Sequence, residues 1–321
     1  MHKQRTTLNC DLLLKEFHVK EVPVLDTSKL TFTGVGSRDV YNITAPFTDE
    51  GIVLLAGRVE SRDSESSDVM FFAQQDNVWV PQRELPVFQL QDPFITRIGD
   101  ELIMGGVETY PHPEDEGKLM WRTVLYRGNR ASELHPFFTG PDGMKDIRLV
   151  QLDDGDIGIF TRPQGIKGGR GKIGFTRTAT IEELTMELIT EAPLLEGQFT
   201  DAEWGGVNEA QILSNGLVGV LGHIARFDER NNRHYYPMIF VLDPDTGWFS
   251  EIELIAVRSN FLPGPAKRKD LHNVVFSGGL VRNPDGTAVL YAGISDAEAH
   301  TITIPDPFIR YESSARNIEK K

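Results

Sequence analysis

The stretch DPFITRIGDELIMGGVE, residues 92–108, consists of two short apolar runs separated by a polar turn that contains glycine. Short apolar runs on either side of such a turn are typical of two antiparallel strands joined by a tight connection. The pattern therefore predicts a β-hairpin. Asp92 stands before Pro93 at the start of this hairpin, where it is either a turn residue or an acid held in a site.

The same layout occurs five times along the chain. The other four segments are NITAPFTDEGIVLLAGRVE (42–60), DIRLVQLDDGDIGIFTR (146–162), EAQILSNGLVGVLGHI (209–224) and FSGGLVRNPDGTAVLYAGISD (276–296). The predicted turns, near Glu50, Gly99, Asp154, Asn215 and Asp285, are about 50 to 70 residues apart, which is the scale of a four-stranded propeller blade. Strand candidates such as LMWRTVLYRG (119–128) supply outer strands, and TATIEELTMEL (178–188) suits a short helix between strands.

These observations predict an all-β fold. We expect residues 1–321 to form a single five-bladed β-propeller domain with a central funnel and short N-terminal and C-terminal extensions. The first strand of every blade in such a fold runs along the channel, so the strand starts meet at one rim. The residues expected there are Asn42, Asp92, Asp146, Asn208, Glu209 and Ser277, joined at the ends of the second strands by Arg58, Glu60, Glu108, Arg162, His223 and Asp296. Carboxylates, amides and a few cations around a funnel suit a polyhydroxylated ligand.

Composition limits the partners. The 33 basic and 47 acidic side chains leave a formal charge of −14, which repels a phosphate backbone and disfavours nucleic acid. A single cysteine, Cys10, excludes internal disulfides and is typical of a reducing compartment, so a cytoplasmic location is expected. The charged N-terminus does not resemble a secretory signal, and no apolar run is long enough for a membrane helix. We predict no metal or organic cofactor, and homo-oligomers stay possible.

The five strand openings, taken in order, resemble those of glycoside hydrolase family 130, whose five-bladed enzymes cleave or phosphorolyse β-mannosides. The matching segments are Gln91-Asp92-Pro93-Phe94, Lys145-Asp146, Arg162-Pro163, Gly222-His223, and VVFSGGLV with YAGISD, which ends at Asp296. Gln91 and Phe94 replace charged residues of the family pattern. The lysine expected before the His223 strand is absent, with Gln211 near its place. The chain is thus similar to a neighbouring branch of that family.

The resemblance implies an inverting enzyme that cleaves β-mannosidic or related oligosaccharides, with Asp92 as catalytic acid and inorganic phosphate as a possible co-substrate. Burial among carboxylates is then expected to raise the pKa of Asp92 and keep it protonated for donation. The residues predicted to bind phosphate are Arg58, Arg162 and His223. Those predicted to bind sugar are Asn42, Arg58, Asp146, Glu209 and Asp296.

Several alternatives stay open. Each cation could instead form an ion pair between blades, and each carboxylate or amide could bond to blade backbone. Without a phosphate site, water would be the nucleophile, and Asp146, Glu209 or Asp296 would be the base at roughly 6.5 to 9.5 Å from Asp92. The fold could also bind a sugar or protein without chemistry, or be another five-bladed glycosidase of the arabinofuranosidase or fructosidase type. Trp204 is a candidate loop-borne stacking platform, and residues 267–270 (KRKD) are expected to be a solvated loop.

Overall fold

The structure, a computed structural model, describes residues 7–313, and its regular elements are mostly antiparallel β-strands. The all-β prediction is confirmed. Residues 1–6 and 314–321, which include parts of the two predicted extensions, lie outside the described residues. Among residues 7–313, no helix combines the length and the apolar character that crossing a membrane requires.

The strands follow one another in five units. Strand β1 (Asp26–Lys29) precedes the first unit, which contains β2 (Asp39–Tyr41), β3 (Phe47–Asp49), β4 (Ile52–Glu60), β5 (Ser67–Gln75) and β6 (Val78–Pro81). The second unit contains β7 (Gln91–Ile98), β8 (Glu101–Pro111), β9 (Leu119–Gly128) and β10 (His135–Thr139). The third contains β11 (Arg148–Gln151), β12 (Ile157–Thr161) and β13 (Gly174–Thr178).

The last two units share one sheet. The fourth contains β14 (Trp204–Ile212), β15 (Val218–Phe227), β16 (Arg233–Leu242) and β17 (Glu253–Leu254). The fifth contains β18 (Asn273–Arg282), β19 (Thr287–Ile294) and β20 (Glu298–Pro305), and β1 pairs antiparallel with β20 at its edge. A short parallel pairing of His234 and Tyr235 with Asn273 and Val274 joins β16 to β18. The N-terminal strand thereby completes the C-terminal unit.

All five predicted hairpins are present as antiparallel pairs, namely β3 with β4, β7 with β8, β11 with β12, β14 with β15, and β18 with β19. The predicted turns also occur: Glu50 has φ 46° and Gly99 has φ 57°, and such left-handed residues are typical of tight hairpin connections. The predicted outer strand at 119–128 coincides with β9.

The N-terminal segment contains a helix that the sequence analysis did not anticipate. Helix α1 (Cys10–Lys20) begins at Asn9, whose side chain accepts a hydrogen bond from the Leu12 N–H and so caps the first turn. Its buried residues, Cys10, Leu13 and Phe17, pack on the core of the third and fourth units. The shorter helices are α2 (Gly165–Gly168), α3 (Met186–Glu191), α4 (Ile309–Ser313) and four 3-10 turns (Ala131–Glu133, Ile181–Glu183, Arg258–Asn260 and Lys269–Leu271). The predicted helical insert at 178–188 is thus a 3-10 turn followed by α3.

Consecutive units pack through apolar interfaces. Phe94 and Ile103 of the second unit belong to one apolar cluster with Leu149 and Ile159 of the third, and comparable clusters lie between the other neighbours. One cluster joins the fifth unit to the first, where Ala299 packs with buried side chains of β2, β4 and β5. On the inner side, β7 contacts both β4 and β11, while β14 contacts β11 and β18. The strand openings of different units are therefore close together.

Candidate functional site

The openings of the first three units share an unusual backbone conformation. Asn42 has φ 45°, Asp92 has φ 50° and Asp146 has φ 62°. Asparagine and aspartate enter this left-handed region more readily than other residues with a side chain, so these residue types suit these positions. The ladder between β7 and β8 is irregular between Gln91 and Phe94, which removes Asp92 from the regular pairing.

Asp92 contacts the first unit through its carboxylate. The Asn42 amide donates to Asp92 Oδ1 at 2.7 Å, and Arg58 Nη1 donates to the same oxygen at 3.1 Å. The other side of the Arg58 guanidinium donates to Glu60 Oε2, from Nε at 3.0 Å and from Nη2 at 2.5 Å. All four side chains are buried. The three nitrogens of Arg58, predicted to bind phosphate, thus already donate to carboxylates of this chain.

The pKa of Asp92 lies below its ordinary value. Burial acts to raise this pKa, but the charges of Arg58 and Lys145 and the hydrogen bond from Asn42 outweigh it. The expectation of a raised pKa was therefore wrong, because the sequence did not show that a guanidinium would contact this carboxylate. Asp92 is an anion near neutral pH.

A second buried group lies in the third and fourth units. Asp146 Oδ1 is 3.5 Å from Arg148 Nη2, and Asp146 Oδ2 is 3.5 Å from Arg162 Nε. Arg162 Nε also donates to the Gly205 carbonyl at 2.7 Å. Burial acts to raise the pKa of Asp146, and the neighbouring cations, Arg162 first, lower it below its ordinary value. The Arg148 guanidinium lies over the Phe94 ring, 4.4 Å from the ring centre, so Phe94 makes a cation–π contact with Arg148.

His223 completes this second group. Its Nδ1 is 2.8 Å from Asn208 Oδ1, an acceptor, so we assign the proton to Nδ1 and leave Nε2 as the acceptor of a neutral ring. Burial lowers the pKa of His223 to about 3, so the ring stays uncharged near neutral pH. Ser277 of the fifth unit lies 3.2 Å from the same Asn208 oxygen, which links the fourth and fifth openings.

Four buried polar atoms in these two groups have no hydrogen-bond partner within residues 7–313. They are Asn42 Oδ1, Asp146 Oδ2, Arg162 Nη1 and Asn208 Nδ2. A buried polar atom without a partner costs about 1 to 3 kcal/mol, so such atoms are rare unless a ligand or water satisfies them. Both donors and acceptors are free, which suits a ligand that carries hydroxyl groups and an anionic group.

Lys145 is a further residue of the candidate site, and the sequence analysis assigned it no role. Its charge lowers the pKa of Asp92, Asp146 and His223, so it acts on both groups. Lys145 is half-buried, and in the described part of the chain no hydrogen bond or ion pair involves its ammonium group. The signal in the sequence is its position directly before Asp146, in the Lys145-Asp146 segment that resembles the family pattern.

Two further predicted carboxylates differ in their surroundings. Asp296, with φ 52°, lies near Arg58, Asp92 and Lys267, and burial raises its pKa to about 6. Glu209 instead bonds to the neighbouring unit, since its Oε2 accepts from the Leu280 N–H at 2.8 Å. Burial raises the pKa of Glu209 to about 7. For Glu209 the structure thus shows the backbone hydrogen bond that was the alternative to sugar binding.

Glu209→Gln is expected to change how stability depends on pH. The folded pKa, about 7, exceeds the ordinary 4.5, so the folded state binds more protons and wild-type stability falls as pH rises between these values. Glutamine keeps an acceptor for the Leu280 N–H and does not ionise. The free energy of unfolding falls from about pH 4.5 to about pH 8 in the wild type. We expect this fall to be about 1 to 3 kcal/mol smaller in the variant. Urea unfolding at both pH values measures this, with exposed Glu229→Gln as the control, and equal slopes would contradict it.

Three other residues from the sequence analysis have partners within the chain. The 267–270 segment is not a solvated loop throughout, because the Lys267 side chain is 4% exposed and pairs with Glu60. Trp204 is buried at the start of β14, with its Nε1 donating to the Tyr235 hydroxyl at 3.0 Å, so it is not loop-borne. Glu108 pairs with Arg122 on the adjacent strand at 2.6 Å.

Gly206 faces the second group closely. A Cβ atom at this position would lie 2.8 Å from Arg162 Cδ, 2.9 Å from Asp146 Oδ2 and 3.1 Å from His223 Cε1. Gly206→Ala is therefore expected to displace these side chains and lower kcat/KM about 100-fold, because small misplacements of binding groups are costly in catalysis. The measurement is steady-state kinetics on the folded variant. Gly158→Ala crowds only apolar side chains and is the control, expected to affect stability and not kcat/KM; equal kinetic losses would contradict the prediction.

Comparison with known proteins places these features in a family. A mannose phosphorylase from Leishmania mexicana, solved in complex with phosphate ion, is 36% identical, with a TM-score of 0.85 and 93% of each chain covered. A GDP-Man-dependent mannosyltransferase from the same organism is 31% identical, with a TM-score of 0.84 and 94% of this chain and 95% of that chain covered.

A β-1,2-mannobiose phosphorylase from Listeria innocua shares the fold at 13% identity, with a TM-score of 0.59 and 91% of this chain and 95% of that chain covered. The predicted resemblance to the mannoside phosphorylase fold is therefore confirmed. The comparison with curated proteins gave no match. A family model described as "Protein of unknown function (DUF1861)" matches residues 16–310. Because that match spans most of the chain, the protein belongs to the DUF1861 family.

Proposed function

We propose that this protein is a carbohydrate-active enzyme that cleaves β-mannosidic or related oligosaccharides by phosphorolysis, with inorganic phosphate as co-substrate. The observation that carries the proposal is the buried Arg162 Nη1, which has no hydrogen-bond partner in the described residues, near the acceptors Asn42 Oδ1 and Asp146 Oδ2, which accept no hydrogen bond there. The half-buried Lys145 adds a second cation. A guanidinium edge and an ammonium group suit phosphate, and the acceptors suit sugar hydroxyls. Similarity to a phosphorylase solved with phosphate supports the same assignment.

We propose in addition that the five units close into a five-bladed propeller around this cluster. The apolar cluster between the fifth and first units and the pairing of β1 with β20 support closure. In a closed ring the strand openings face one funnel, which gives a small ligand access to residues of all five units. The free and buried thiol of Cys10 is compatible with a cytoplasmic location, which stays a prediction, as does self-association.

The roles follow from the charge of each group. We assign Lys145 and Arg162 to the phosphate, and Asn42, Asp146 and Asp296 to sugar hydroxyls. Neutral His223 donates from Nδ1 to Asn208, so its Nε2 accepts and suits a hydroxyl group better than the phosphate predicted from the sequence. Asp92 is placed at the reacting bond. As an anion held by Arg58, Asp92 accepts a hydrogen bond from a sugar hydroxyl. To act as an acid it must first bind a proton from solvent, which requires that it leave the Arg58 contact, and it then passes that proton to the leaving oxygen.

Asp296 gives a reason to consider hydrolysis as the second candidate reaction. With its pKa raised to about 6, Asp296 is ionised but basic near neutral pH, which suits a general base that activates water. The predicted base Asp146 is less suitable, because the neighbouring cations lower its pKa. Phosphate-independent release of mannose would therefore support attack by water, with Asp296 as its base, rather than attack by phosphate.

A linkage panel decides between these reactions. The protein is incubated with β-mannobioses with and without inorganic phosphate, and mannose and mannose 1-phosphate are quantified. Formation of mannose 1-phosphate supports phosphorolysis, and mannose release without phosphate supports hydrolysis. Parallel reactions contain GDP-mannose as donor, arabinofuranosides or fructosides. Absence of turnover in every reaction, with sugar binding detected by calorimetry, would contradict an enzyme and favour a binding propeller.

A further inference from the structure

Lys267 reaches into the site from a loop between β17 and β18. Its side chain is 4% exposed, and its ammonium group pairs with Glu60, donates to the Ser64 carbonyl at 2.7 Å and lies 3.2 Å from Glu65. The loop backbone is also fixed, since the Lys267 N–H donates to the Ser295 carbonyl at 3.0 Å. Arg268 adds a contact with Glu65 at 3.0 Å. This lysine is therefore held in one place by two different units.

Glu60 connects Lys267 to the centre of the site. Its carboxylate is 1% exposed and accepts from Lys267, from the Tyr41 hydroxyl at 2.8 Å and from two nitrogens of Arg58. A carboxylate buried to this degree requires opposite charge around it. With Lys267 present, the negative charge of Glu60 is compensated by two cations, Lys267 and Arg58. Arg58 Nη1 therefore stays available to donate to Asp92.

We propose that Lys267 is a positioning residue that acts through Glu60 on Arg58 and thereby fixes the contact between Arg58 and Asp92. Without the ammonium group, Glu60 has Arg58 as its remaining cation and draws the guanidinium away from Asp92. Asp92 then loses the cation that favours its ionised form. The importance of this effect for turnover rests on the proposed function, while the positioning itself does not.

Other charged groups also act on the Asp92 carboxylate. They are Lys145, which precedes β11, Asp146, Arg148 on β11, and Asp296, which follows β19. Lys267 also acts directly on Asp296. A direct effect of its charge on the whole site must therefore be distinguished from an effect relayed through Glu60.

A double-mutant cycle makes this distinction. The titration midpoint of Asp92 is followed by carbon-13 NMR of labelled aspartate carboxyls, with the signal assigned by its loss in Asp92→Asn. We expect Lys267→Met to raise this midpoint by about one pH unit and Lys267→Arg to restore it. In a Glu60→Gln background, Lys267→Met is expected to cause no further shift. An equal shift in both backgrounds, or none in either, would overturn the proposal.

A second measurement does not depend on titration. In a crystal structure of Lys267→Met, the distance from Arg58 Nη1 to Asp92 Oδ1 is expected to exceed hydrogen-bond range, and an unchanged 3.1 Å would overturn the proposal. If Lys267→Met fails to fold, Lys267→Gln carries the same test because it retains a donor without charge. Neither measurement needs turnover, so loss of the proposed phosphorolysis would leave the result interpretable. Where turnover is observed, the limb of the kcat/KM profile assigned to Asp92 moves in the same direction.

Discussion

Asp92→Asn is expected to lower kcat/KM for β-mannoside cleavage about 1,000-fold, equivalent to about 4 kcal/mol of transition-state stabilisation. The reason is that the variant removes both the negative charge and the ability to exchange a proton at the reacting bond. Asparagine is the appropriate substitution because it tolerates the left-handed φ of 50° at this position, where alanine would add backbone strain. Steady-state kinetics with and without phosphate measure the loss.

The matched control is Asp100→Asn at the other end of the same hairpin. Asp100 is exposed in the turn between β7 and β8, and its substitution is expected to leave kcat/KM unchanged. Thermal unfolding of both variants shows whether the fold is retained, since Arg58 keeps Glu60 as a partner when Asp92 is replaced. A folded Asp92→Asn variant with near-wild-type turnover would reassign the proton transfer to another carboxylate.

Arg162→Met is expected to raise the KM for phosphate about 100-fold, because a guanidinium provides two parallel donors to phosphate that no uncharged chain replaces. Phosphate-independent turnover, where present, is expected to fall much less. The variant also leaves Asp146 with Arg148 as its remaining direct partner, and breaking a buried ion pair costs about 3 to 5 kcal/mol of stability. Initial rates over a phosphate series give the measurement.

Arg162→Lys separates binding from stability in this experiment. It keeps the charge beside Asp146 but loses the planar fork, so an intermediate KM for phosphate is expected in a folded protein. Arg177→Met, on the outer side of the neighbouring strand β13, removes an arginine engaged with three surface carboxylates and is expected to leave KM unchanged. If Arg162→Lys and Arg162→Met both retain the wild-type KM, Arg162 does not bind phosphate.

The sequence predicted the strands of this fold better than its helices. The hairpins followed from apolar runs around turn residues, because strand alternation and turn chemistry are local properties. Helix α1 was missed because its apolar face, Cys10, Leu13 and Phe17, is interrupted by charged residues and is buried only by packing on distant units. The 3-10 turn before α3 likewise lies where local preference alone does not decide the type of helix.

Site residues show the same division. Asn42, Asp92 and Asp146 were identified from their place at strand openings, and the structure brings them together with Arg58, Arg162 and His223 in two buried groups. The predicted direction of the Asp92 pKa is wrong, and the Lys267 side chain is buried where the sequence predicts a solvated loop. Both errors concern which charge lies next to which, and the partners are far apart in sequence.

By itself the sequence determined the all-β class, the five hairpins and the set of polar residues at their openings, because these depend on short-range periodicity and turn chemistry. The tertiary structure decided the charge state of that set. Asp92 is ionised because Arg58 lies 3.1 Å away, and Lys267 enters the site from a loop 207 residues beyond Glu60. The pKa of Glu209 is raised to about 7 because its carboxyl group is desolvated beside β18, although the residue as a whole is only partly buried. Electrostatic energies depend on distance and burial in space, which strand patterns do not encode.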